Sequence, residues 1–227
     1  MATYPVVFLL DVDNTLVNND AVIADLMKHI ESAIGVEQQK RYWEFFEQLR
    51  DELGYADYLG ALQRYRVTYP RDLKILAASL YLVDYPFANR LFPDSLDVIE
   101  HAQKMGKTVA LSDGDVVFQP HKIYRSGIYD AINDEVLIYI HKEKELDDVS
   151  QRYPADHYVL VDDKVRILTA VKKRWGTKVT TVFPRQGRYA TAEEIAKYPP
   201  ADFTIERIGD FLKFDLETLL KGAKPAA

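Results

Sequence analysis

The sequence predicts an α/β protein, a parallel β-sheet core interrupted early by an all-helical insertion. Three observations predict it. Residues 6–10 are a continuous apolar run, Val6-Val7-Phe8-Leu9-Leu10, the pattern of a strand buried on both faces of a sheet. From Asp94 onward, strand-like and helix-like segments alternate, the arrangement that gives parallel strands joined by right-handed crossovers. Between Asn19 and about Asn89, no strand pattern interrupts a series of helical segments.

Taken in order, the first strand ends at Asp11-Val12-Asp13-Asn14-Thr15, two carboxylates flanking one apolar residue. Asn18-Asn19-Asp20 reads as a loop and helix N-cap, after which Ile23, Leu26, Met27, Ile30 and Ile34 recur at helical spacing until Gly35. A second helix over residues 37–53 puts Tyr42, Phe46, Leu49 and Leu53 on one face before Gly54. Helices over 56–67 and 72–83 follow, bounded by Tyr69-Pro70 and Tyr85-Pro86. The aromatic residues of this region read as helix packing and Arg64 and Arg66 as solvated, with Tyr58, Arg64, Tyr65 and Arg66 the candidates to face a site.

Asp94 is placed to cap a helix running to Met105, and residues 107–111 form a strand that leads into Ser112-Asp113-Gly114-Asp115. Residues 117–126 read as helix, 131–140 as a strand-rich stretch ending at His141-Lys142, and 143–153 as a polar helix. Strand 157–161 ends in Asp162-Asp163, and helical spacing resumes over 164–175. Strand 178–183, a turn-rich stretch to Pro200, strand 201–205 and a helix over 208–220 complete the pattern, with a loose tail from Lys221.

A chain of 227 residues is long enough to bury a sizeable core. Its net charge of −6, without a basic block, argues against nucleic acid or an anionic membrane as partner. The absence of cysteine removes disulfides, thiolate catalysis and cysteine-ligated metals, and the five histidines lack metal-binding spacing. The first apolar run is too short for a signal-peptide core, and no stretch spans a bilayer, so the expected location is the cytoplasm.

In parallel sheets, ligands bind beyond the carboxyl ends of the strands. Four polar clusters fall there: Asp11/Asp13, Ser112, Lys142 and Asp162/Asp163. Such residues suit phosphoryl transfer, with Asp11 a carboxylate nucleophile, Asp13 a proton donor and acceptor, and grouped carboxylates holding a hard cation such as Mg2+. Taken singly, each has a plainer explanation: Ser112 as a strand-end hydroxyl, Lys142 as a solvated lysine, Asp162 or Asp163 as an N-cap.

Together these motifs resemble the haloacid dehalogenase superfamily in its phosphatase-like branch. The first family motif matches Asp11-Val12-Asp13-Asn14-Thr15, the second Leu111-Ser112-Asp113-Gly114-Asp115, the third Lys142 and the fourth Val161-Asp162-Asp163. The resemblance implies a Rossmann-like core from residues 1–17 and 90–227, and a helical cap from 18–89. It also implies Asp11 as nucleophile, Asp13 as acid and base, and Ser112, Asp113 and Lys142 as phosphate-binding residues. Mg2+ would be held by Asp11, Asp13 through its main-chain carbonyl, Asp163 and Asp162. Two departures stand out. Glu143 follows the lysine where many relatives have proline, leaving Lys144 as a competitor, and the further acid many relatives carry after the fourth motif is missing.

The implied activity is hydrolysis of a small phosphomonoester through an aspartyl-phosphate, with no oligomeric state indicated. Dehalogenating relatives lack the second aspartate, since a departing halide needs no proton. The alternatives are a phosphomutase, a 2-haloacid dehalogenase or a catalytically silent protein that binds a phosphate ligand.

Overall fold

The computed structural model of the chain describes residues 3–225, and its centre is a six-stranded sheet in the order β3-β2-β1-β4-β5-β6 with every pairing parallel. The strands are β1 (Tyr4–Leu10), β2 (Lys107–Asp113), β3 (Val136–Tyr139), β4 (Ala155–Val161), β5 (Val179–Pro184) and β6 (Phe203–Ile205). The chain runs outward from β1 through β2 to β3, then returns to the other side of β1 and runs outward again through β4 to β6. The strand order therefore reverses at β1, which places a ligand crevice at its carboxyl end.

Burial on both faces explains why β1 reads as an unbroken apolar run. Phe8 and Leu10 join one core cluster with Val98, Val159 and Phe211, whereas Val7 and Leu9 join the other with Leu160, Leu168 and Val171. Helices α5 (Ser95–Met105) and α9 (Val165–Trp175) supply the opposing surfaces.

Between β1 and α5 lie four helices, α1 (Asn19–Ile34), α2 (Val36–Leu53), α3 (Tyr58–Thr68) and α4 (Ile75–Val83). Their apolar faces extend the first core cluster through Leu26, Ile30, Tyr42, Phe46 and Tyr65. The chain enters and leaves this insertion along paired segments: Asn18 N–H donates to Arg90 O at 2.7 Å, and Phe92 N–H to Leu16 O at 2.8 Å. Among the described residues, no helix is long and apolar enough to cross a membrane.

Several local expectations are corrected. Leu53 is not on the buried face of α2; it is 39% exposed at the helix end. Asp94 precedes α5 with φ of 67°, a left-handed conformation, and its carboxylate makes no cap. Ser95 instead ties the helix start to the end of the first loop by donating to Leu16 O. The stretch 131–140 is strand only from Val136, because Gly127 opens a short helix, α6 and α7 being Phe118–Arg125 and Ile128–Ala131. Asn133 and Asp134 then both adopt positive φ, which extended backbone cannot accommodate.

The polar helix expected over 143–153 is a 3-10 turn, Lys142–Lys144, followed by α8 (Leu146–Arg152). A short helix, α10 (Ala192–Ile195), lies in the turn-rich stretch. The last helix is likewise divided, into the 3-10 segment Ile208–Lys213 and α11 (Leu216–Gly222), because Asp215 caps a new start by accepting from Thr218 N–H at 2.8 Å. The tail is anchored as far as Lys224, whose N–H donates to Asp202, and residues 226–227 lie outside the described residues.

One close approach fixes how β2 joins the sheet. A Cβ at Gly106 would stand 2.6 Å from the Val6 carbonyl oxygen, a backbone atom that cannot swing aside. Gly106→Ala is therefore expected to cost about 1–3 kcal/mol by forcing β1 and β2 apart, read as a lowered urea midpoint with an unchanged slope.

Candidate active site

The residue at the centre is Asp11, 2% exposed, one position beyond β1 and held by its N–H to the Val161 carbonyl at 3.0 Å. Thr15 Oγ1 donates to Asp11 Oδ2 at 2.9 Å and accepts from Asp163 N–H at 3.1 Å, so one hydroxyl locks the loop after β1 to the loop after β4. That loop turns back at Asn14, whose φ is 61°, and Gln186 donates to the carbonyls of Asn14 and Thr15 at 3.0 and 2.8 Å.

Lys142 enters from the 3-10 turn after β3 and is 1% exposed. Its Nζ donates to Asp11 Oδ1 and to the Leu111 carbonyl, the latter at 3.1 Å, and it lies 2.7 Å from Asp162 Oδ2 as a bent charge contact. Burial opposes the lysine's charge, yet Asp11, Asp162 and Asp113 hold its pKa above the ordinary value. Burial pushes the Asp11 carboxyl up to about 6, with Lys142 pulling the other way. Lys144, the competing lysine, instead sits exposed at the mouth of the cavity.

Asp11, Asp162 and Asp163 each offer an oxygen within 4.8 Å of the others, and all are buried. Asp162 Oδ1 accepts from Lys164 N–H at 2.8 Å. Asp163 is different: among the described residues, neither of its buried carboxylate oxygens has a hydrogen-bond partner, and burial pushes its pKa well above the usual range.

Ser112 is fully buried at the end of β2, and its hydroxyl accepts from Gln119 Nε2 at 2.9 Å. The Asp113 carboxylate accepts Lys142 N–H at 2.8 Å, tying the end of β2 to the turn that carries the lysine. All seven residues singled out in the sequence thus gather at the carboxyl ends of β1 to β4.

Asp13 occupies a second environment. Its carboxylate is 25% exposed, and both oxygens accept from Lys122 Nζ, at 2.7 and 2.8 Å. Gln119 Nε2 reaches the same carboxylate at 3.2 Å. Lys122 is fully buried and also donates to Asn19 Oδ1 at 2.9 Å, and Asn19 is the first residue of α1.

Sequence reasoning missed Lys122 and Gln119. The available signal was their position: both lie on the same face of α6 as Phe118 and Ile123, where a solvated lysine has no place. Lys164 was also missed. Burial opposes its charge, but the carboxylates of Asp163, Asp11 and Asp162 hold its pKa above the usual value.

A cavity of about 720 Å3 opens over these groups, lined by Asp13, Gln119 and Lys164 from the sheet side and by Tyr55 and Tyr58 from the insertion. Of the four candidates in the insertion, Tyr58 faces the cavity, packed against Phe46 and Phe118 at centroid distances of 4.8 and 5.1 Å. The others turn away. Arg64 pairs with Glu52, Arg66 donates to the Pro70 carbonyl, and the Tyr65 hydroxyl donates to Asp72.

A family model for haloacid dehalogenase-like hydrolases matches residues 6–156. A protein from Burkholderia xenovorans LB400 described as a haloacid dehalogenase-like hydrolase is 59% identical, with 92% of this chain and 98% of that one covered and a TM-score of 0.88. A haloacid dehalogenase-like family hydrolase from Xanthomonas campestris superimposes with a TM-score of 0.66 at 13% identity, covering 96% of this chain and 93% of that one. The L-2-haloacid dehalogenase PA0810 gives a TM-score of 0.64 at 15% identity, covering 93% and 99%, and at that identity the likeness is one of fold. Comparison with curated proteins gives no match.

The pairing of Asp13 with Lys122 has a consequence for stability. Asp13→Ala leaves a fully buried ammonium without its carboxylate, at a cost of about 2 kcal/mol, less than for a pair buried on both sides because Asp13 is part-exposed. Adding Lys122→Met should recover most of that loss in a thermal denaturation cycle, whereas additive losses would show that the two residues do not interact.

Proposed function

The chain belongs to the haloacid dehalogenase-like hydrolases, and from that premise we propose that it is a Mg2+-dependent phosphatase cleaving a small phosphomonoester through an aspartyl-phosphate on Asp11. The observation that carries this reading is Asp13. A second carboxylate lines the cavity beside the buried nucleophile, where a leaving oxygen would need a proton. Loss of a halide ion would give that group nothing to do.

In this reading Asp11 attacks phosphorus, the bond from phosphorus to the ester oxygen breaks, and Asp13 supplies the proton that the departing oxygen takes up. Asp13 then accepts a proton from water as that water attacks phosphorus and frees Asp11. Lys142 balances charge on Asp11 and the transferring group, and the Ser112 hydroxyl, oriented by Gln119, donates to a phosphoryl oxygen. Asp113 acts through its hold on the Lys142 main chain.

The residues present fit a hard divalent cation. Asp11, Asp162 and Asp163 are oxygen donors only, and the two unpartnered oxygens of Asp163 lack any other evident role. When bound, Mg2+ supplies positive charge between an anionic carboxylate and an anionic phosphate. The helical insertion serves as the cap, with Tyr55 and Tyr58 among its contributions to the cavity wall. The net charge of −6 fits a small-molecule substrate in the cytoplasm better than nucleic acid or a membrane surface.

Hydrolysis of p-nitrophenyl phosphate, followed with Mg2+ and again after EDTA, tests this. The expected result is metal-dependent release of nitrophenol that falls about a thousandfold or more in Asp11→Asn. Halide release from a 2-haloacid in the presence of EDTA, with no phosphatase activity, would point to dehalogenation instead.

A further inference from the structure

The charges around the cavity do not cancel. Among its lining residues, Arg166 is taken by Glu143 at 2.6 Å, Arg50 by Glu47 at 2.6 Å, and Glu194 by Lys197 at 2.7 Å. Asp13 is taken by Lys122. Lys144 and Lys164 remain, with Arg188 loosely paired and the Asp113 carboxylate facing the same cavity. Among the described residues, neither Lys144 nor Lys164 has an ion-pair partner within 4.0 Å, and the nearest carboxylate to Arg188 is Asp20, at 3.7 Å.

Arg188 and Lys164 are nonetheless held in place. Both lie against the ring of Tyr189, the guanidinium carbon at 5.1 Å and the ammonium at 5.5 Å from its centroid. The Arg188 main chain is pinned where its N–H donates to Asp20 Oδ2 at 2.7 Å. An aromatic face fixes a cation without neutralising it. A concave site whose fixed cations are only partly balanced attracts an anion, and a guanidinium offers a carboxylate or phosphate two parallel donors.

In the phosphatase reading the transferring phosphoryl group has its own partners in Lys142 and Ser112, which leaves Arg188 free for another part of the substrate. We propose that the cavity is selective for phosphomonoesters whose leaving group carries a second anionic group, and that Arg188, with Lys164 beside it on Tyr189, is the subsite for that group. This inference rests on the phosphatase reading and narrows it to a substrate class.

The test compares two phosphate esters of nearly equal size, carboxymethyl phosphate and ethyl phosphate, as ligands of the Asp11→Asn protein with Mg2+ in a calorimeter. The expected result is that the carboxylate-bearing ester binds about 10-fold more tightly. Adding Arg188→Met should shrink that preference to about 2-fold, with Arg188→Lys keeping part of it. Equal affinities, no binding of either ester, or a preference untouched by Arg188→Met would overturn the proposal. Turnover of the same pair by the unmodified enzyme is read separately. An Arg188-dependent binding preference without any turnover would keep the anion subsite and defeat the phosphatase reading.

Discussion

Three carboxylates meeting within 4.8 Å inside a protein repel one another and are poorly solvated, and the rest of the site is arranged to tolerate that. Lys142 is the principal means. Its ammonium lies between Asp11 and Asp162, and its own main chain is fixed by Asp113, so its position cannot drift with the surface turn that carries it. Even so, the balance is incomplete. Burial still pushes the pKa of Asp11 and Asp163 upward, and among the described residues the two carboxylate oxygens of Asp163 have no hydrogen-bond partner. A site short of positive charge by this measure is one that a cation stabilises, which is why the parallel sheet, the buried lysine and the proposed metal belong to a single physical argument.

The two acids at the tip of β1 are set apart by their surroundings. Asp11 is sealed against Lys142 and Thr15, whereas Asp13 faces the cavity and is gripped by Lys122 from α6. Because Lys122 also bonds Asn19 at the start of α1, the acid, the core helix and the entry to the insertion form one hydrogen-bonded unit. Environments that differ this much at neighbouring positions let two carboxylates take different roles.

The strands and their polar ends were legible in the sequence for a simple reason: a strand buried on both faces must be apolar throughout, so Asp11, Ser112 and Asp162 stand out where the run breaks. The choice between Lys142 and Lys144 was not legible, because it depends on a single 3-10 turn that swings one lysine inward and leaves the other exposed. Lys122 and Gln119 were hidden for a related reason. A polar residue on a helix is ordinarily solvated, and only the tertiary placement of α6 against Asp13 gives these two their partners. Asp94 failed as a cap because a left-handed backbone turns its carboxylate away from the first helical turn, a torsional choice that composition does not encode.

Turnover of p-nitrophenyl phosphate in water enriched in heavy oxygen, followed by mass spectrometry of both the released phosphate and the peptide containing Asp11, tests the proposed chemistry most directly. Attack of water on phosphorus places the heavy oxygen in phosphate and none in Asp11. Heavy oxygen in the Asp11 carboxylate would mean that water attacks the carboxyl carbon of the intermediate, and would contradict release of Asp11 by attack at phosphorus.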